Sequence, residues 1–210
     1  MNNNLVYKVI VIGNASVGKT AFVRSYIFDN PHLENSATVG VEFMVKTIEL
    51  PDKSTVKLQV WDIGGQDRSA FLMRSFCHRA HGCVLLFDVT NPPSFECVCH
   101  WKRAVEEKCL QEGRKPIPCI LLANKCDLNE RHVKFMDIDK LTNELGFICW
   151  KEISVKEKLN IEEAMMSLLQ AMVTRTTNNL DYESQEEEYI RPGKSLSESK
   201  NADDDAIKWQ

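Results

Sequence analysis

The chain has 210 residues, 43% of them hydrophobic and 27% charged, with a formal net charge of −4, a balance that suits one globular domain and a tail. No run approaches the roughly 20 apolar residues that cross a bilayer, and an acidic chain without a basic stripe argues against a nucleic-acid partner. The opening "MNNNLVYK" lacks the charged and apolar regions of a signal peptide and Asn2 excludes N-myristoylation, so a cytoplasmic location is expected.

In chain order, apolar runs suited to strands lie at 5–12, 39–50, 55–61, 83–89, 117–124 and 147–153. Helical patterns fall between them at 19–28, 68–80, 94–111, 138–145 and 160–174, with Ser94 after two prolines and Asn160 placed to cap the last. Strands 1, 4 and 5 are continuously apolar, which predicts burial on both faces in a parallel sheet covered by helices. "LPDKST" at 50–55 is too short for a crossover, so strands 2 and 3 are antiparallel. The expected fold is α/β: one P-loop NTPase domain over 1–176, with a six-stranded mixed, mostly parallel sheet and helices on both faces. From about 177 the chain turns acidic and poor in apolar residues, and the tail to 210 is predicted to lack structure.

Eight cysteines in a chain expected in the reducing cytosol predict free thiols. "CHRAHGC", with Cys77, His78, His81 and Cys83, lacks the paired spacing of a zinc site, and Cys97 and Cys99 point to different helix faces.

The loop "GNASVGKT" follows a strand and opens a helix, the context that G-x-x-x-x-G-K-[ST] requires. Small side chains leave the backbone prominent, so the amides of Asn14, Ala15, Ser16, Val17, Gly18 and Lys19 can line a phosphate cradle, to which Gly13 and Gly18 permit close approach and which runs on to Thr20 and Ala21 in the helix. Lys19 would reach the β and γ phosphates and Thr20 would give its hydroxyl to magnesium. Thr38, in "SATVGVEF" after a stretch with no regular pattern, would complete the magnesium shell when a γ phosphate is present. "WDIGGQ" places Asp62 at a strand end, where it could hold magnesium through water, and Gly65 could offer its N–H to the γ phosphate. In "NKCD", Asp127 can accept from both N1–H and the amino group of guanine, whereas adenine would leave the carboxylate unpaired. Asn124 and Lys125 would brace that loop. "SVK", Ser154, Val155 and Lys156, ends the last strand where its backbone could meet the guanine oxygen.

These four motifs, in this order, resemble the Ras-like small GTPases over about 5–175. "VGVEF", the Trp before Asp62 and "LLFDVTN" resemble the Rab branch; "PCILLANKCDL", "GFICWKEISVKE" and "NIEEAM" look closest to the Rab subgroup of lysosome-related organelles, melanosomes and the trans-Golgi. The resemblance implies a GTP/GDP switch in vesicle trafficking, in which Gln66 orients the attacking water and Lys19 offsets developing charge. It also implies an exchange factor, a GTPase-activating protein that donates an Arg, and effectors that bind Phe43, Trp61 and Phe76. Three departures bear on the expectation. The chain stops at "AIKWQ" without the terminal cysteines that Rabs prenylate, so contact with endolysosomal or Golgi-related membranes is expected only through partners. Pro31 stands where an aromatic ring usually covers guanine, and Gly64 and Ser69 stand where Ala and Phe are common in the second switch. These keep two alternatives open: a soluble, non-prenylated GTPase, and a nucleotide-locked scaffold with little hydrolysis. A P-loop ATPase or nucleoside kinase is a further rival, without the arginine cluster that a kinase lid needs.

Overall fold

The computed structural model describes residues 5–28, 41–50, 53–65, 75–109 and 116–189, with side chains to 177. Strands β1 (Leu5–Ile12), β2 (Val41–Glu49), β3 (Thr55–Ile63), β4 (Gly82–Asp88), β5 (Cys119–Asn124) and β6 (Cys149–Ile153) form a single sheet in the order β2-β3-β1-β4-β5-β6. Only β2 and β3 run antiparallel; every other neighbouring pair is parallel. The helices are α1 (Lys19–Phe28), α2 (Pro92–Glu96), α3 (Val98–Cys109), α4 (Phe135–Glu144) and α5 (Ile161–Tyr189).

The two cores, one on each face of the sheet, follow from side-chain alternation along the central strands. In β1, Val9 and Val11 enter one core with Phe22 of α1 and Leu168 of α5. Ile10 and Ile12 enter the other with Trp101 of α3 and Ile138 of α4. Each buried aliphatic or aromatic side chain contributes about 2 kcal/mol, so a strand apolar at every position is stable only between two helical layers. The predicted mixed sheet with helices on both faces is the architecture observed. At the antiparallel edge, Lys53 takes a left-handed φ of 63° and the N–H of Leu50 donates to Ser54 O at 2.9 Å, which closes the turn.

Several boundaries differ from the sequence expectation. β3 runs two residues further, to Ile63, so Asp62 is held inside a strand in register with Val11 of β1. The helix expected over 94–111 starts earlier, because Pro92 and Pro93 fit a first turn that needs no N–H, and it is divided into α2 and α3 at Cys97, which keeps right-handed dihedrals (φ −74°, ψ −12°). Ser94 does not cap it: its hydroxyl accepts the N–H of Asp88 at 3.0 Å and donates to Asn91 O. α4 also starts earlier, at Phe135, with Asp137 in its first turn. Asn160 turns its amide to Glu152 O rather than to the helix, although its carbonyl accepts the first helical bond, from Ala164. Of the helix expected over 68–80, residues 75–77 are helical and 66–74 lie outside the described residues.

Contacts divide the chain after Arg175. In the second unit the described part is the helical stretch to Tyr189, where the acidic composition predicted no structure; Glu, Gln and Leu are good helix formers, and high charge does not by itself exclude a helix. Among the described residues no helix is long and apolar enough to cross a membrane.

Candidate functional site

The carboxyl ends of β1, β3, β4, β5 and β6 meet along one edge of the sheet, and the motif residues leave the strands there. At the end of β1 the chain turns through Gly13 at φ 139°. A Cβ at Gly13 would lie 2.2 Å from Leu86 O, so no other residue fits this bend beside β4. Ser16 also holds a left-handed φ, of 64°, and Val17 is buried beneath the loop. The loop ends where α1 begins: Phe22 N–H donates to Gly18 O at 2.8 Å, and the preceding amides and the positive end of the helix stay available to an anion.

Lys19 is buried, and its Nζ donates to Asn14 O at 2.9 Å, folding the side chain back over the loop. Burial lowers the pKa of the ammonium, and the carboxylate of Asp62 offsets part of that shift. Thr20 Oγ1 donates to Asp62 Oδ2 at 2.5 Å. A hydroxyl and a carboxylate held this close, beside a phosphate cradle, are hard oxygen donors of the kind magnesium takes; the residues fit that ion. Gly65 lies directly against the loop, since a Cβ there would come within 2.3 Å of Ala15 N and 2.6 Å of the carbonyl carbon of Asn14. Thr38 and Gln66, together with Pro31 and Ser69, lie outside the described residues.

The base-side residues form a connected set. Asn124, at the end of β5, donates to Val17 O at 2.8 Å and accepts the N–H of Val155 at 3.3 Å, so one buried amide ties the phosphate loop to the loop after β6. Asp127 Oδ1 accepts the hydroxyl of Ser154 at 2.7 Å. Ser154 is 0% exposed, and its oxygen also accepts Glu157 N–H at 3.0 Å, so the hydroxyl is fixed from two sides. Asp127 Oδ2 makes no hydrogen bond to any described residue. Lys125, at φ 68°, extends its ammonium to Asp88 at 2.6 Å. Burial alone would raise the Asp88 carboxyl, but hydrogen bonds from Lys125 and Thr90 outweigh it and hold the pKa below the ordinary value. Lys156 is exposed and pairs with Glu157, and Ala21 is partly buried in the first turn of α1.

Of the three aromatic residues, Phe43 and Trp61 face each other across the β2–β3 register with ring centroids 5.2 Å apart and planes at 21°. Phe43 is 57% exposed, and Lys8 Nζ sits 4.1 Å from the centroid of Trp61. Phe76 is partly buried against the same core cluster that Trp61 borders. All eight cysteines are free thiols, and no cluster of three or more His, Cys, Asp or Glu side chains that could hold a metal occurs among the described residues.

Two residues of this network went unassigned in the sequence. Asp88, which holds Lys125, ends the buried strand "VLLFD" next to the strand that carries "NKCD", and that shared edge was a readable signal. Trp101, whose indole N–H donates to Asn14 Oδ1 at 2.7 Å, gave none: a tryptophan on an amphipathic helix reads as core.

A glycine-turned cradle at the mouth of a doubly wound sheet, tied by one asparagine to an aspartate-bearing loop, defines a P-loop nucleotide-binding domain of the small G protein type. Residues 8–174 match the family model described as "Ras family", and the chain belongs to that family of small GTPases. It is 40% identical to human "Ras-related protein Rab-7L1" over 185 residues, 88% of this chain and 91% of that protein. It is 39% identical to "Ras-related protein Rab-32A" of Dictyostelium discoideum over 170 residues, 80% of this chain and 78% of the relative. Human "Ras-related protein Rab-32" is 36% identical over 169 residues, 80% of this chain and 75% of its own length.

Proposed function

We propose that this chain is a Rab-type GTP/GDP switch that hydrolyses GTP slowly and serves vesicle trafficking by recruiting effectors. The observation that carries the reading is the coupling of the two ends of the site: Asp127 is fixed by Ser154, and Asn124 joins that loop to the phosphate loop through Val17. Such an arrangement holds a carboxylate for guanine at a set distance from a cradle for phosphates, and it disfavours adenine, which would leave the carboxylate unpaired.

Lys19 gives up Asn14 O for phosphate oxygens, and its charge offsets the negative charge that develops during phosphoryl transfer. Thr20, Asp62 and Thr38 would hold magnesium, which when bound neutralises charge on the β and γ phosphates. Gly65 presents its N–H from a position against the loop, so the segment that follows responds to the γ phosphate. Gln66 orients the attacking water. Without a partner's arginine the rate is on the order of 10⁻⁴ to 10⁻² per second. An exchange factor reloads the site, and effectors use the stacked Phe43 and Trp61, with Phe76, as anchors. Single-turnover hydrolysis of bound GTP by the wild type and by Gln66→Leu tests the catalytic assignment: the variant is expected to be at least tenfold slower, and equal rates would remove Gln66 from the mechanism.

A further inference from the structure

We propose that Trp101 is a positioning residue for the bound nucleotide: its indole N–H holds the corner of the phosphate loop from outside the loop, and so slows nucleotide release. The proposal rests on the guanine-nucleotide reading above. Trp101 is 3% exposed in the first turn of α3, packed in the core on one face of the sheet, so its side chain has little freedom. Its Nε1–H donates to Asn14 Oδ1 at 2.7 Å. Asn14 stands between the bends at Gly13 and Ser16, in a segment with neither helix nor sheet bonds of its own. Among the described residues, its one other hydrogen bond comes from Lys19 Nζ, to its carbonyl at 2.9 Å. The carbonyl carbon of the same residue is the wall that Gly65 approaches.

The bond from α3 therefore fixes a residue that touches both the catalytic lysine and the segment after Asp62. A buried indole N–H needs a partner, and many residues of the core could have supplied one. Here the partner is a side chain of the phosphate loop itself, on the residue whose carbonyl accepts Lys19 in this structure and whose carbonyl carbon Gly65 approaches. With the donor removed, the Asn14 side chain is free to turn, and the loop samples arrangements that no longer fit the phosphates. The chemical step, which depends on groups already gathered around the γ phosphate, changes much less.

One neutral hydrogen bond corresponds to about fivefold in an equilibrium. Release of the fluorescent probe mant-GDP from the full-length chain is therefore expected to be about fivefold faster in Trp101→Phe, which keeps an aromatic ring and loses the donor. Single-turnover hydrolysis of preloaded GTP should stay within about twofold. Asn14→Leu should release mant-GDP at a similarly raised rate, and the double variant should add no more than about twofold to the faster single. Wild-type release from Trp101→Phe, or a double variant whose acceleration is the product of the two singles, overturns the proposal. Should Trp101→Phe fail to fold, Asn14→Leu decides. Its release must rise about fivefold and one indole N–H resonance must move to an unbonded position; wild-type release, or no indole signal moved, overturns the proposal. A wild-type chain that never retains mant-GDP brings down the guanine-nucleotide reading and this proposal with it. A wild type and a Trp101→Phe that retain it equally long count against Trp101 alone.

Discussion

Ser154→Ala deletes one oxygen that serves two partners. The hydroxyl donates to Asp127 Oδ1 at 2.7 Å and accepts the N–H of Glu157 at 3.0 Å, in a residue that is 0% exposed. Water cannot readily take its place. A hydrogen bond to a charged group is worth about 1.5–3 kcal/mol, and the amide of Glu157, an exposed residue, loses a bond worth about 1 kcal/mol. The two losses fall on different quantities. The amide belongs to the loop itself and lowers stability with or without nucleotide. Loss of the carboxylate bond frees Asp127 to rotate away from the base and acts on affinity, where about 1.5–3 kcal/mol corresponds to roughly tenfold to a hundredfold. Titration calorimetry with GDP and magnesium, beside thermal unfolding of the nucleotide-free chain, separates the two. An affinity within twofold of wild type, with only the melting temperature lowered, would refute the claim that Ser154 sets the base-binding carboxylate.

Two further outcomes follow from the surroundings of Gly65 and His81. Gly65→Ala places a methyl group 2.3 Å from Ala15 N, a backbone atom that cannot yield, so the segment must retreat from the loop; GDP affinity should hold within several-fold while single-turnover GTP hydrolysis falls at least tenfold, and wild-type hydrolysis contradicts the placement. His81 Nδ1 accepts the backbone N–H of Lys8 at 2.9 Å, which only the neutral ring can do, and burial, then the charges of Lys8 and Arg175, hold its pKa below the ordinary 6.5. The unfolded chain then takes up the proton at higher pH than the folded one, so this contribution to stability is complete above about pH 6.5 and is lost as pH falls below it, until the folded ring also protonates. Thermal unfolding from pH 7.5 to 5 should show a shallower decline in His81→Phe than in the wild type; parallel curves contradict the account.

What the sequence disclosed was the part of the site in which backbone chemistry constrains residue type. Gly13 is legible because only glycine passes Leu86 O at that φ, and Asp127 because a motif at a strand end fixes its direction. The sheet was legible for a similar reason: continuous hydrophobicity in β1, β4 and β5 has one economical explanation, burial between two layers of helices. Contacts that join elements distant in sequence were not. The bond from Trp101 to Asn14 spans 87 positions, and nothing local marks a core tryptophan as a donor to a loop. The pairing of Lys125 with Asp88 was half legible: an Asp ending an apolar strand is a readable signal, but its partner follows from the β4–β5 register. Boundaries shifted where local rules compete, as at Pro92, where a residue that breaks helices elsewhere begins one.

The account stands most directly on nucleotide choice. Titration calorimetry of the nucleotide-free chain with GTP and with ATP, each with magnesium, should show GTP bound at least a thousandfold more tightly, because adenine offers no donor to the second carboxylate oxygen of Asp127, whose first is held by Ser154. Equal affinity for the two would contradict the assignment of Asp127 and, with it, the reading of this site as the guanine-nucleotide switch of a small GTPase.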